Sequence, residues 1–107
     1  MRNVRTESFK ADNRTLDPAD QQRFREAVRL FSTACDRFVA DQDPSVWPGS
    51  LRIRPVQGAA DVWEMTWNFS GPDGRATWQW TTVVDETGKH PAILWRRIGD
   101  HRIFERP

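Results

Sequence analysis

In VWEMTWNFSGPDGRATWQWTT, residues 62–82, two alternating runs flank a turn signal. From Val62 to Phe69 large apolar side chains alternate with polar ones. Trp63, Met65, Trp67 and Phe69 fall on one side, and Glu64, Thr66 and Asn68 on the other. A period of two marks a half-buried strand, because successive side chains of an extended chain point to opposite faces. After the turn signal Gly71-Pro72-Asp73-Gly74 the alternation resumes, with Ala76, Trp78 and Trp80 opposite Arg75, Thr77, Gln79 and Thr81. Two such runs around a Gly/Pro/Asp turn predict a β-hairpin.

Downstream, Asp85-Glu86-Thr87-Gly88-Lys89 supplies a second turn before a strand over Pro91–Ile98. Upstream, Leu51–Val56 alternates Leu and Ile with Arg and reads as another strand. Before it the period changes. Phe24, Val28, Phe31, Cys35 and Phe38 recur at spacings of four and three, one buried stripe on a helix. Asp17 is an N-cap acceptor, Pro18 suits the first helical position, and Asp20 adds negative charge to the first turn. The helix therefore runs over Pro18–Asp41, ended by Pro44, Pro48 and Gly49. Ser8–Leu16 forms a shorter helix, and the polar opening Asn3–Glu7 is a weak edge strand. The order is strand, helices, then a meander. That describes one α+β domain over residues 1–107 with a mainly antiparallel sheet. Its core should hold Phe24, Val28, Phe31, Phe38, Trp63, Trp67 and Trp95, with Trp78 and Trp80 on the same face of their strand. Trp47, set between prolines, should plug the space beneath its loop.

Composition excludes several classes. Sixteen Lys+Arg against fifteen Asp+Glu leave a net charge of +1, which argues against a strongly cationic, non-specific nucleic-acid binder. Fourteen of the sixteen bases are arginine; this reflects either a GC-rich coding sequence or a use for the planar guanidinium fork. Cys35 stands alone, so there is no intrachain disulfide, and a reducing compartment fits. One Cys and two His make no convincing zinc site, so no metal or other cofactor is expected. Neither a secretory signal nor an apolar run of about 20 residues is visible, which points to a soluble, cytoplasmic protein without membrane contact.

The strand register also collects polar residues: Arg52 and Arg54, Glu64 and Thr66, then Arg75, Thr77 and Gln79. That face is either an ordinary solvated sheet surface or a cationic groove, holding one carboxylate, for an anionic ligand. The C-terminal WRRIGDHRIF keeps apolar residues to Phe104, so the tail should dock, bringing Arg96, Arg97 and His101 to an edge of that face. His101 is either a surface residue or a proton carrier near neutrality. The tryptophans read as core, with stacking on RNA bases as the other use.

Taken together, SFKAD at the first helix, LRIRPVQG, VWEMTW, DGRATWQW and the terminal ILWRRIGDHRIF resemble the RelE/ParE superfamily of bacterial type II toxins, and within it the RelE-like messenger-RNA interferases. The likeness spans nearly the whole chain, and its most specific part pairs DGRATWQW with IGDHRIF. It implies a microbial-RNase-like antiparallel sheet with two helices packed on one side. It also implies metal-independent endoribonuclease activity in the ribosomal A site, the ribose 2′-OH attacking the adjacent phosphate. On this resemblance Arg75 stabilises the transition-state phosphate, His101 is the acid or base, and Glu64 is a second catalytic candidate. Arg52, Arg54, Arg97 and Phe104 contact RNA. The chain departs from relatives that use a C-terminal tyrosine or a lysine pair, having no Tyr and arginines at 52 and 54. The implied partners are a cognate antitoxin, the ribosome with its messenger RNA, and operator DNA reached through the antitoxin. Two rival readings share the fold: a ParE-like DNA gyrase inhibitor, and a catalytically inactive binding module.

Overall fold

The computed structural model describes residues 1–68 and 74–107, and the side chains of all of these except Pro44, Asn68 and His101. Strand β1 (Arg2–Arg5) leads into helices α1 (Glu7–Thr15) and α2 (Pro18–Asp41). Strands β2 (Arg54–Pro55), β3 (Trp63–Asn68), β4 (Gly74–Asp85) and β5 (Gly88–Gly99) follow, and the chain closes in a 3₁₀ helix, His101–Glu105. The five strands form one sheet in the order β1-β5-β4-β3-β2. The architecture is α+β, but the sheet is mixed, because β1 pairs with β5 in parallel while the other contacts are antiparallel. A parallel neighbour needs a crossover, and α1 and α2 supply it.

Helix α2 has the predicted bounds for the predicted reason: the Asp17 side chain accepts a hydrogen bond from the Asp20 N–H, with Pro18 in the first turn. Helix α1 starts one residue earlier than its sequence signal, because Thr6 caps it by accepting from the Phe9 N–H. Phe9, Phe24 and Phe31 all meet Trp95, so both helices share one layer against one sheet face. Phe31 is fully enclosed and also touches Trp47 and Trp78. Trp47 does plug the space beneath its loop, stacked on Phe31 and Phe38. Of the expected core, Phe24, Phe31, Trp67 and Trp95 are buried, while Val28 and Trp63 are only partly so and Phe38 is half-buried. Phe38 and Trp63 line a groove at the end of α2, and Val28, midway along the helix, borders a second one beside β1 and Trp95.

The segment Leu51–Val56 is not the strand its alternation predicts. Gly49–Leu51 forms a 3₁₀ turn, Arg52 adopts the left-handed region at φ 48°, and pairing with β3 is limited to Arg54 and Pro55. Leu51 is fully buried, so the chain turns to sink it, and Pro55 lacks an N–H for the ladder. Trp63–Asn68 and the strand from Gly74 do pair antiparallel as neighbours. Phe69 and the turn residues Gly71–Asp73 lie outside the described residues.

β5 is longer than expected and carries a bulge. Thr77 pairs with Arg97 but Trp78 pairs with Trp95, leaving Arg96 as the extra residue. Residues 95 and 97 would share a face in a regular strand. The bulge instead sends Trp95 into the core and places Arg97 beside Thr77 on the opposite face. Beyond Arg5 the outer edge of β5 has no strand partner, and α1 takes over. Thr6 donates from its N–H to the Trp95 carbonyl (3.0 Å) and from Oγ1 to that of Arg96 (2.7 Å), and the Ile98 N–H donates to Asp12 Oδ2 (3.2 Å). The same carboxylate receives two hydrogen bonds from Arg97, Nε to Oδ2 at 2.6 Å and Nη2 to Oδ1 at 3.1 Å. Asp12→Ala is expected to cost about 2 kcal/mol of folding free energy by chemical denaturation, since it strands a guanidinium and an edge N–H together. Asp12→Glu should recover part of that loss.

Cys35 is fully buried on α2. Burial pushes its thiol well above the usual range, and the neighbouring Asp36 adds to the shift. The reactive form is the thiolate, so a disulfide-exchange reagent should leave Cys35 unmodified in the native protein and label it only at the rate of unfolding. Rapid native-state labelling would contradict this packing.

Candidate nucleic-acid interface

The face of the sheet away from the helices holds two cross-strand rows. In one, Arg54 lies opposite Glu64, Glu64 opposite Thr77, and Thr77 opposite Arg97. In the other, Arg75 lies between Thr66 on β3 and Gly99 on β5. Neighbouring strands are about 4.8 Å apart, so the side chains of the first row form a continuous line, and the second ends at Gly99, which has no side chain to extend it. Of the two readings that the alternation allows, the ordinary solvated sheet surface does not describe the centre of this face. Glu64 is 7% and Arg75 8% exposed, and Thr66 and Thr77 are buried as well.

The enclosure comes in part from the tail. After Gly99 the chain turns through Asp100, whose carboxylate caps the 3₁₀ helix by accepting from the Arg102 N–H, and the helix packs on β4 and β5. Gly99 permits this approach: a Cβ there would stand 3.1 Å from Ile103 Cγ2. Arg96 Nε donates to the Pro107 carbonyl and Arg97 Nη1 to that of Arg106, so the two arginines clasp the tail from below. Arg96 also reaches Gln79 Oε1.

The predicted site residues separate into three groups. Arg54, Glu64 and Arg75 share the face, with Arg54 Nε 2.6 Å from Glu64 Oε1. The Glu64 end of this pair is far less exposed than the arginine. Arg75 Nη1 lies 3.4 Å from its own neighbour's carbonyl, Gly74 O. His101 enters the 3₁₀ helix two residues after Gly99, the cross-strand neighbour of Arg75; its side chain lies outside the described residues. Phe104 is half-buried in the same helix. Arg97 belongs to the second group. It sits on the right face, but its guanidinium is held by Asp12, and that hydrogen bond and charge raise its pKa further.

Arg52 forms the third group, and the expectation that it shares a face with Arg54 is corrected. Its left-handed backbone breaks the period of two. The side chain lines a groove with Trp63 and Trp80, on the helix side of the sheet.

Asp12 was missed at the sequence level, yet a signal exists. It lies three residues after the core residue Phe9, on the same face of α1, where a carboxylate needs a buried-side partner.

Among the described residues no group of three or more His, Cys, Asp or Glu side chains could hold a metal ion. Among the same residues no helix is long and apolar enough to cross a membrane. Comparison of the chain with protein-family models, with curated proteins and with solved structures yields no match.

Proposed function

We propose that the protein is a RelE-like toxin, a metal-independent endoribonuclease that acts in the cytoplasm on messenger RNA in the ribosomal A site. One observation carries this reading: Arg75, in the middle strand, lies on the same sheet face as the Arg54–Glu64 ion pair, one row over from it, with His101 entering two residues beyond its cross-strand neighbour Gly99. The α+β architecture, with both helices on one side of the sheet and these residues on the other, supports this reading, while the sheet is mixed where the resemblance implies an antiparallel one.

In this reading the ribose 2′-OH attacks the adjacent phosphorus, the P–O5′ bond breaks, and a 2′,3′-cyclic phosphate remains. One proton leaves the 2′-oxygen and one arrives at the departing 5′-oxygen. His101 carries one of these transfers, because imidazole titrates near neutral pH. Arg75 stabilises the extra negative charge of the crowded phosphorane from a fixed, largely dehydrated position. The phosphate meets Arg75 across the small part of it that solvent reaches. Glu64 is engaged by Arg54, so it holds that arginine toward the RNA backbone and shapes the local field.

A cognate antitoxin is the corresponding partner, and co-expression with it should restore growth where this chain alone arrests it. The test adds purified protein to translating ribosomes and, separately, to DNA gyrase with relaxed plasmid. Fragmented messenger RNA with normal supercoiling is the expected outcome. Intact messenger RNA with blocked supercoiling would assign the fold to the gyrase-poisoning branch. No effect in either would mark a binding module.

A further inference from the structure

On the opposite side of the sheet, a groove of about 640 Å³ opens between the end of α2, the loop after it, and strands β3 and β4. Its walls are aromatic: Phe38, Trp47, Trp63 and Trp80 line it, together with Gln42 and Arg52. Phe38 packs against both Trp47 (5.2 Å, 23°) and Trp80 (5.7 Å, 21°), and those two indoles touch each other at 6.4 Å, tilted by 42°. Trp63 enters from β3, stacked on the buried Trp78 at 5.7 Å and 17°. None of these four rings is fully enclosed, unlike Phe31 and Trp78 beneath them.

Charge narrows the ligand. Arg52 is the one charged residue in the lining, it is exposed, and among the described residues it forms no ion pair. An aromatic enclosure with a carboxylate would favour a cation. This one has a guanidinium instead, which would repel a quaternary ammonium and attract a phosphate through its planar fork. A site of this volume takes a small organic molecule, and ring faces accept any heterocyclic base with little regard to its hydrogen-bonding edge.

We propose that this groove binds a nucleotide unit, its base against the Trp63 and Trp80 indoles and its phosphate on Arg52. The unit is either a free mononucleotide or one residue of a single RNA strand; the chemistry recognised is the same. The groove lies across the sheet from Arg75, so this inference stands apart from the cleavage reading.

Quenching of tryptophan fluorescence on titration with guanosine and adenosine monophosphates tests it, with the nucleosides and inorganic phosphate as controls. The monophosphates should quench and saturate, the nucleosides should bind roughly tenfold more weakly, and inorganic phosphate should not quench. Arg52→Asn, a residue that tolerates the left-handed backbone, should erase the difference between nucleotide and nucleoside. Trp63→Leu, with folding checked by circular dichroism, should weaken both. A short all-deoxy oligonucleotide separates the sources: tighter binding than the monophosphate through the same residues indicates a strand, and equal binding a free nucleotide. The inference is overturned if millimolar monophosphates leave the fluorescence unchanged, the result expected of a groove that takes an apolar peptide. It is equally overturned if binding ignores Arg52→Asn and Trp63→Leu.

Discussion

Arg75→Ala is expected to lower messenger-RNA cleavage on the ribosome on the order of 10²–10³-fold, the scale of removing one preorganised donor from a developing oxyanion. The loss should fall on the rate of the bound complex and not on ribosome affinity, because the guanidinium is needed most when the phosphorane forms. His101→Ala should cost on the order of 10²–10⁴-fold and change the pH profile of cleavage, since it removes one of the two proton carriers of the proposed mechanism. Glu64→Gln should do less, and Arg54→Ala should weaken substrate docking in a way that added ribosomes partly rescue. Single-turnover cleavage of a defined ribosome complex at several pH values separates these roles. If Glu64→Gln were inactive while His101→Ala cleaved normally, the proton transfers would belong to the carboxylate and the docked tail would be structural.

The largest stability effect should come from Phe31. It is completely buried and meets Trp47, Trp78 and Trp95, so truncation removes the ring around which α2, the long loop and two strands are assembled. Phe31→Ala is expected to destabilise the fold by about 3–5 kcal/mol, combining lost transfer free energy with the cost of a cavity that rigid indoles cannot close. Leu30→Ala on the same helix is the control: Leu30 is 56% exposed and its loss should stay within about 0.5 kcal/mol. Comparable losses from both in urea denaturation would contradict the packing described above.

The helical half of the fold is legible in the sequence because its signals are local. Asp17, Pro18 and the Phe24-to-Phe38 stripe specify α2 without reference to anything distant. The alternation of Trp63, Met65 and Trp67 likewise places β3. What alternation cannot reveal is a residue that leaves the period. Arg52 takes a left-handed conformation and so leaves the face that Arg54 keeps, and Arg96 is the extra residue of a bulge that puts Arg97 on the face opposite Trp95. The spacing of Trp95 and Ile98, three apart and both buried, is the one trace the bulge leaves in the sequence. Gly74 is a related case. It closes an evident turn signal, yet a Cβ there would lie 2.5 Å from Trp67 Cε2, so close packing against that indole is its second requirement.

The candidate site is legible as a set of residues but not as a surface. Register alone puts Glu64, Thr66, Arg75 and Thr77 together. It cannot show that a 3₁₀ helix after Gly99 folds back beside them, or that Asp12, 85 residues away in sequence, takes the guanidinium of Arg97. Those depend on contacts between distant segments, for which no local pattern exists.

The chemistry of the RNA ends distinguishes 2′-OH attack from other modes of cleavage. Messenger RNA recovered from ribosomes incubated with the purified protein should carry breaks in the A-site codon, each ending in a 2′,3′-cyclic phosphate with a 5′-hydroxyl on the downstream fragment. Fragments ending instead in a 3′-hydroxyl with a 5′-phosphate, or messenger RNA left whole under the same conditions, would contradict it.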